Sequence, residues 1–269
     1  EICACLVGSE MCIRDRDRPA RWDTARAWRG VQRSAWGYFK KLAVADRAAV
    51  VVDAVFANPA AYDRTQLLLG SVLFTVQLYA DFSGYTDIVL GVGEVLGLKL
   101  PENFRQPFFA DSVKDIWARW HISLSRWLRD YVYIPLGGNK GGLAKQLRNI
   151  AIVWLLTGFW HGASWNFVLW GVYFGILLVL EKLFLLRWLK RLPAVLRHIY
   201  ALVLVTISWT LFAFTEISKG AAWCKAMLSG VLFDSSSLYL LLTYGPMLAI
   251  CALAATPLGK RLSLIHISE

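Results

Sequence analysis

Residues 149–180 read NIAIVWLLTGFWHGASWNFVLWGVYFGILLVL, a run of 32 residues without Lys, Arg, Asp or Glu. A helix that crosses the hydrocarbon core of a bilayer needs about 20 such residues, with a range of roughly 17–25. This run is too long for one crossing and short for two. We therefore predict a tight helical hairpin or a re-entrant pair, broken near residues 158–164, where Gly and Ser allow a turn.

Three shorter uncharged runs are found at residues 65–80, 199–215 and 235–259. The last two have the length of single membrane spans. We predict that residues 65–98 enter the membrane and return, with a turn near Asp81, Ser83 and Gly84. The resulting fold class is all-α, a polytopic membrane helix bundle with interfacial and re-entrant helices.

The composition agrees with a membrane environment. Hydrophobic residues make up 57% of the chain and the mean hydropathy is +0.47, whereas soluble domains contain about 45–50% apolar residues. The formal charge of +10 comes from Lys and Arg that flank the apolar runs. That arrangement is the positive-inside pattern. No basic, water-exposed domain is evident, which excludes a nucleic-acid-binding protein.

Loop charge predicts the orientation. Residues 98–148 contain nine Lys/Arg and four Asp/Glu, and residues 181–198 contain five and one. We place both segments in the cytoplasm, and residues 216–234, with two of each sign, outside. Residues 21–64, with eight basic and four acidic residues, are predicted to be cytoplasmic as well. The Trp-rich and Arg-rich segment 98–148 is expected to form interfacial helices.

Both ends of the chain resemble translated sequencing adapters. We expect residues 1–16 and 262–269 to be non-native, which leaves residues 17–261 as a fragment of a single membrane domain. Cys224 and Cys251 are then the remaining cysteines, so no disulfide or metal framework is predicted. No two of the three remaining histidines have the spacing of a helical metal pair, and we predict no metal.

His161 is the first candidate for chemistry. It lies inside the longest uncharged run, where an ionisable side chain is costly and usually faces a cavity or the bundle interior. Low dielectric favours the neutral imidazole, which is the form that a general base needs. A structural histidine that hydrogen-bonds a neighbouring helix is the alternative.

His121 is the second candidate, within the sequence WARWHISLSRWLRD at residues 117–130. We predict one helix, in which His121 and Ser125 share a face. Arginine matches phosphate geometry, so the basic residues of this helix could hold the phosphates of an acyl donor: Arg119, Arg126 and Arg129. The alternative is an amphipathic interfacial helix in which His121 is an incidental polar anchor.

Two acidic residues lie near the apolar edge of the segment YADFSGYTD at residues 79–87. Asp81 and Asp87 could position a substrate hydroxyl or, as we favour, pair with an Arg. The glycines of residues 133–142 predict a turn. They lack the Walker spacing of a phosphate-binding loop.

Several motifs in this order resemble the membrane-bound O-acyltransferase family, and in particular its alginate O-acetyltransferase branch. The motifs are DFSGYTD at 81–87, PENF at 101–104, WHISLS at 120–125, YVYIPLGG at 131–138 and GFWHG at 158–162. The resemblance implies a many-helix bundle with a central funnel. It also implies that His161 is the family's essential histidine and that His121 is its second histidine.

The resemblance further implies acyl transfer in the bacterial inner (plasma) membrane by a multi-pass protein. In this branch a cytosolic donor, expected to be acetyl-CoA, supplies an acetyl group for an exported polysaccharide, usually with periplasmic acetyltransferase partners. No bound cofactor is expected. We expect His161 to be a general base or an acyl acceptor, with its tautomer set by His121 or Asn166, and we expect substrate-binding roles for Asp81, Asn166 and the three arginines.

Other functions stay open from the sequence. D-alanyl transfer to teichoic acid is the nearest enzymatic alternative. A transporter also uses intramembrane histidines and broken helices, although no internal repeat is evident. A scaffold that recruits a separate acetyltransferase is the third alternative.

Overall fold

A computed structural model describes residues 22–255, and every regular element in that range is a helix. Four helices within it are long and apolar enough to cross a bilayer: Arg64–Val95, Trp165–Leu189, Ala194–Ala213 and Ser235–Leu253. This confirms the predicted all-α bundle. The expected non-native segments 1–16 and 262–269 lie outside the described residues.

The α-helices, in chain order, are α1 (Thr24–Phe39), α2 (Asp46–Ala57), α3 (Arg64–Val95), α4 (Val113–Arg119), α5 (Ile122–Leu128), α6 (Leu143–His161), α7 (Trp165–Leu180), α8 (Leu186–Leu189), α9 (Ala194–Ala213), α10 (Ile217–Ser229) and α11 (Ser235–Ala255). Single π-helical segments continue α1, α5 and α7: Lys40–Ala45, Arg129–Tyr133 and Glu181–Leu185. Short 3-10 turns are found at Pro59–Ala61 and Pro107–Phe109.

Helix α3 is continuous over 32 residues, so the predicted entry and return of residues 65–98 is wrong. At 1.5 Å per residue the helix is about 48 Å long, which exceeds the roughly 30 Å hydrocarbon core. Asp63 caps its start by accepting a hydrogen bond from the Gln66 N–H at 2.8 Å, and the Gln66 side chain accepts one from the Asp63 N–H at 3.0 Å. Asp81, Ser83 and Gly84 lie inside the helix rather than at a turn.

Helix α1 packs antiparallel to α3 and supplies the cations that α3 requires. Each of the three carboxylates inside α3 has a basic partner. The ion pairs are Arg29–Glu94 at 3.1 Å, Arg33–Asp87 at 3.1 Å, Lys40–Asp87 at 2.6 Å and Lys41–Asp81 at 2.8 Å. Pairing offsets part of the cost of placing these charges near lipid, so the helix does not need to turn back.

Glycines bring α1 and α3 into backbone contact. Gly37 faces Gly84, and a Cβ built on Gly37 would lie 2.5 Å from the Gly84 carbonyl oxygen. Gly30 faces Gly91 in the same way, at 2.5 Å from its carbonyl oxygen. Small residues at such positions allow membrane helices to approach closely. The seven-residue spacing within each helix corresponds to about two helical turns.

The direction of α3 revises the predicted position of residues 21–64. Its start lies beside the segment 216–234, since the Arg64 N–H donates to the Val231 carbonyl oxygen at 2.9 Å, and its end leads into residues 98–148. These two segments were predicted on opposite sides, which agrees with one crossing by α3. However, α1 and α2 run back along α3, so residues 21–64 do not fit on the cytoplasmic side alone.

The long uncharged run forms the predicted broken pair of helices. Helix α6 ends at His161 and α7 begins at Trp165, and Gly162 adopts a φ of +153°, in a region that favours glycine. A Cβ on Gly158 would lie 2.6 Å from the Phe167 carbonyl oxygen, so small residues here allow the two helices to touch. The predicted break near residues 158–164 is confirmed.

Candidate active site

The segment that carries His121 is two short helices rather than one. Helix α4 ends at Arg119 and α5 begins at Ile122, and between them His121 has a φ of +45°. The Asn103 carbonyl accepts from the Ile122 N–H at 3.0 Å, which stabilises the break. The predicted single helix over 117–130 is therefore wrong, and the Ser125 hydroxyl donates to the Trp117 carbonyl at 3.2 Å instead of sharing a helix face with His121.

Glu181 anchors α4 to the end of α7. Its carboxylate accepts from the Val113 N–H at 2.7 Å and the Lys114 N–H at 2.9 Å, and from the Tyr200 hydroxyl at 3.2 Å. A carboxylate is favourable at a helix N-terminus. Glu181 is only 1% exposed. Sequence reasoning missed this residue, although an acidic residue directly after the 32-residue uncharged run was a signal.

We expect Glu181→Ala to lower the stability of the protein markedly. Removing a buried charged acceptor leaves donors unpaired, at about 1–3 kcal/mol or more for each group. Thermal unfolding in detergent measures the effect. Glu216→Ala is the control, because Glu216 forms an exposed pair with Lys219 at 3.0 Å, and such pairs contribute about 0–1 kcal/mol. Equal stability of the two variants would contradict the anchoring role.

His161 is the last residue of α6, and its ring is half-buried. Its Nδ1 lies 2.7 Å from the Thr157 carbonyl oxygen, one helical turn earlier. A carbonyl oxygen only accepts, so Nδ1 carries the hydrogen and Nε2 keeps its lone pair. The tautomer is thus set by a backbone carbonyl and not, as predicted, by His121 or Asn166. Aromatic rings surround the imidazole, with Trp170 at 4.8 Å and Phe212 at 5.4 Å between centroids.

His121 lies between α3 and the end of α6. Its ring contacts Phe82, near the middle of α3, at 4.9 Å between centroids, and Trp160 at 6.0 Å. Burial, and then the nearby His161, lower the pKa of His121 to about 4. A lowered pKa means that protonation is lost as pH rises through about 4. The ring is therefore neutral at physiological pH.

Two cavities meet at the histidines. The first has a volume of about 390 Å³ and is lined by residues of α4, α5, α6, α7 and α9. The second, of about 570 Å³, is lined mainly by α3 together with residues from the ends of α6 and α9. Four residues line both cavities: Trp120, His121, His161 and Trp209. The structure thus brings the two predicted catalytic candidates together, between two separate spaces.

The predicted substrate-binding residues divide between those that line a cavity and those that do not. Arg129 lines the first cavity and Asp81 the second. Arg119 pairs with Asp115 at 2.9 Å, and Arg126 is exposed; neither lines either cavity. Asn166 donates to the Phe212 carbonyl at 2.9 Å and also lines neither. Substrate binding by these last three residues stays a prediction, without support from this geometry.

Two lysines that sequence reasoning missed line the cavities. Lys114 is exposed beside the first cavity. Lys41 lines the second and pairs with Asp81 and with Asp46, at 2.8 and 2.9 Å. Hydrogen bonds, first to Asp81 and then to Asp46, raise the pKa of Lys41. Asp81 is thus an ion-pair partner, but of Lys41 rather than of the predicted arginine, and a substrate-binding role for Asp81 stays a prediction.

His121 and His161 thus lie together where the two cavities meet. A sequence profile of the membrane-bound O-acyltransferase family matches residues 12–219. The chain belongs to the membrane-bound O-acyltransferase family. The match includes both histidines and the residues that line the two cavities.

Individual relatives show the same family. The chain is 40% identical to the probable alginate O-acetylase AlgI of Azotobacter vinelandii over 202 residues, which cover 74% of this chain and 40% of that protein. It is 37% identical to the peptidoglycan O-acetyltransferase of Helicobacter pylori over 72% of this chain and 38% of that protein. It is 32% identical to the teichoic acid D-alanyltransferase of Bacillus subtilis over 55% and 40%. The chain thus spans less than half the length of these relatives.

Proposed function

We propose that this chain is part of a membrane O-acyltransferase that moves an acetyl group from a cytosolic donor toward hydroxyls of an exported polysaccharide. The observation that carries the proposal is the position of His121 and His161, which both line two cavities that meet between them. In that position each histidine is accessible to one substrate in the first cavity and to another in the second. The relatives from Azotobacter and Helicobacter, both named as O-acetyl-transferring proteins, support the choice of acetyl.

The first cavity is the proposed donor site. Its deep part is apolar and aromatic, with Trp170 and Trp209 buried, whereas Lys114 and Arg129 are exposed. The acyl-bearing arm of acetyl-CoA would enter this space, and the two basic residues would hold its phosphates at the open end. Both belong to the segment 98–148, whose charge excess predicts a cytoplasmic position.

The chemistry assigned to His161 follows from its tautomer. Nε2 accepts the proton of an acceptor hydroxyl while the hydroxyl oxygen attacks the thioester carbonyl. The C–O bond forms, the C–S bond breaks, and the thiolate takes the proton back from the imidazolium. The apolar surroundings favour the neutral ring before and after the reaction.

Buried donors near the histidines would stabilise the oxygen on which charge develops. The indole N–H groups of Trp117, Trp170 and Trp209 are buried, and none has a hydrogen-bond partner among the described residues. All three rings line the first cavity. An unpaired buried donor costs about 1–3 kcal/mol, so a bound carbonyl oxygen that accepts from one of them would be favoured.

The second cavity is the proposed acceptor side, where Asp81 and Lys41 provide polar contacts for a hydroxyl. The protein would act in the bacterial inner membrane as a multi-pass protein. Periplasmic acetyltransferase proteins are the proposed partners that complete the transfer to the polysaccharide. D-alanyl transfer to teichoic acid, the activity in the name of the Bacillus relative, is the alternative.

The test uses membranes that contain the protein expressed from its complete gene. They are incubated with radiolabelled acetyl-CoA or with a D-alanyl carrier protein, and label in exported glycan is measured. Acetyl incorporation that depends on the protein supports the proposal. D-alanyl incorporation would replace acetyl transfer by its alternative, and no incorporation of either would favour a transporter or a scaffold.

We expect Arg129→Ala and Lys114→Ala to raise the KM for acetyl-CoA about 10-fold each, with a smaller change in kcat. A charge-assisted hydrogen bond to phosphate contributes about 1.5–3 kcal/mol, of which an exposed residue realises a part. Lys145→Ala is the matched control, because Lys145 is exposed in the same basic segment and lines neither cavity. Unchanged KM values in both variants would contradict the proposed donor site.

A further inference from the structure

We propose that Asn103 is a positioning residue that holds His121 in the tautomer with hydrogen on Nδ1, so that its Nε2 is free to accept. The side-chain oxygen of Asn103 lies 3.3 Å from His121 Nδ1. Neither Asn103 nor its neighbour Ser123 lines either cavity. The kinetic part of this inference rests on the proposed function, whereas the tautomer itself does not.

The orientation of the Asn103 amide follows from a backbone donor. The Ser123 N–H donates to the Asn103 side-chain oxygen at 3.1 Å, and the Ser123 hydroxyl donates to the same oxygen at 3.0 Å. A backbone N–H cannot accept, so the oxygen rather than the amide nitrogen faces this side. The Ser123 hydroxyl also lies 3.4 Å from His121 Nδ1, but its single hydrogen is assigned to the closer Asn103 oxygen. An oxygen acceptor and a nitrogen lone pair would repel each other, so we infer that Nδ1 of His121 carries its hydrogen.

Asn103 also stabilises an unfavourable backbone. His121 has a φ of +45°, and the left-handed region costs an ordinary residue roughly 1–2 kcal/mol. The backbone carbonyl of Asn103 accepts from the Ile122 N–H at 3.0 Å, so one residue bonds both the backbone after His121 and its ring. Strain of this kind persists where the surroundings hold it, and it is common at functional sites.

The two histidines then have the same tautomer. His161 donates from Nδ1 to the Thr157 carbonyl, and His121 donates from Nδ1 to Asn103. Neither ring can donate to the other, so the resting pair consists of two acceptors. The O–H group of a substrate can donate a hydrogen bond to either Nε2. The site should therefore prefer ligands that carry a hydrogen-bond donor.

The tautomer is measured by nitrogen NMR on protein labelled with 15N-histidine, with the His121 signals assigned by their loss in His121→Asn. We expect a protonated Nδ1 and an unprotonated Nε2 in the wild type, and a mixture of tautomers in Asn103→Leu. An Nε2–H tautomer in the wild type, or an unchanged ratio in Asn103→Leu, would overturn the inference. This measurement requires no acyl transfer. It therefore tests the tautomer of His121 even if the proposed function is wrong.

Asn103→Asp gives a second, independent readout. The carboxylate keeps the acceptor but favours the imidazolium, so we expect the pH at which His121 protonates to rise by about 1–3 units. The other titratable or charged groups that line the cavities with His121 are constant across the variants: Lys41, Asp81, Tyr85, Lys114, Arg129, Tyr133 and His161. An unchanged pH would mean that residue 103 does not contact the His121 ring, and this result would overturn the inference even if Asn103→Leu fails to accumulate.

The kinetic consequence is a lower kcat with little change in KM. We expect Asn103→Leu to lower kcat at least about 10-fold, as loss of a residue that fixes a tautomer does elsewhere. In Asn103→Asp, activity returns at high pH, where the ring is neutral again. Asn58→Leu is the control, since Asn58 is exposed in the α2–α3 connection. An equal fall in both Leu variants would contradict the positioning role.

Discussion

Replacing His161 with Ala or Gln is expected to abolish O-acetyl transfer without loss of expression. A positioned general base contributes about 10²–10⁴-fold to the rate, and no other described side chain combines a free acceptor nitrogen with access to both cavities except His121. The substitution should lower the stability of the folded protein only slightly, because the ring makes one hydrogen bond, to the Thr157 carbonyl of its own helix. O-acetyl content of the exported polysaccharide and initial rates with acetyl-CoA measure the effect.

His198→Gln is the control for this experiment. His198 lines neither cavity and makes no hydrogen bond to a residue of the site. It donates to the Ala110 carbonyl at 2.9 Å, and its ring packs on Phe109. Glutamine can keep a donor at this position, so acetylation should persist. Full acetylation in a folded His161→Ala variant would show that His161 is structural, and the transporter or scaffold function would then be preferred.

The transporter alternative makes a different prediction about His121 and His161. A transporter that only binds its cargo would change affinity when either histidine is replaced, and no covalent product would form in the wild type. An acyltransferase forms a labelled ester, and its loss in the His161 variants follows the loss of the proton acceptor. The product, rather than the binding affinity, therefore separates the two functions.

The sequence predicted the hairpin of α6 and α7 because the information is local. Thirty-two uncharged residues exceed one bilayer crossing, and the glycines of the run mark where the backbone can turn. The position of His161 followed directly, since it lies at that break. Its hydrogen bond to Thr157 is also local, four residues apart, and could have been anticipated from helical geometry.

The sequence did not predict α3 as one helix because the reason is non-local. The predicted return followed from the basic charge of both flanking segments, whereas the partners of Asp87 that keep the helix straight, Arg33 and Lys40, lie 54 and 47 residues away. The available signal was a pair of glycines seven residues apart in both segments, which indicates close helix packing. The same pairing shows that residues 21–64 are not a loop, because α1 and α2 pack along α3.

Both predicted histidines line the cavities, whereas only one of the three predicted arginines does, Arg129. A continuous helix over 117–130 would place Arg119, Arg126 and Arg129 by helical phase alone. The break at His121 depends on hydrogen bonds from residues 103 and 105, which approach from outside the helix. Because of the break, Arg129 is the one of these three arginines that lines the first cavity. Lys114 lines it as well, but no short sequence motif indicates a role for this lysine.

Gly37→Leu is expected to prevent the protein from folding, and Gly37→Ala to destabilise it. Even the first side-chain carbon would lie 2.5 Å from the Gly84 carbonyl oxygen and 2.9 Å from the Ile88 nitrogen. Both are backbone atoms, so α1 and α3 must separate. Overpacking of this kind costs about 1–3 kcal/mol and occasionally more, and separation also lengthens the adjacent pairs Lys40–Asp87 and Lys41–Asp81. Yield in the membrane and thermal stability in detergent measure the effect.

Gly245→Leu in α11 provides the matched control, because a Cβ at Gly245 meets no atom within 4 Å. There the added side chain occupies open space. Replacing glycine removes a helix penalty of about 1 kcal/mol, which offsets the strain of a Cβ before Pro246, so the loss of stability should be much smaller than in Gly37→Leu. Normal folding of Gly37→Leu would mean that α1 does not contact α3 through its glycines. The proposed lining of the second cavity by Lys41 and Asp81 would then also be wrong, because Lys41 reaches Asp81 only while the two helices remain in backbone contact.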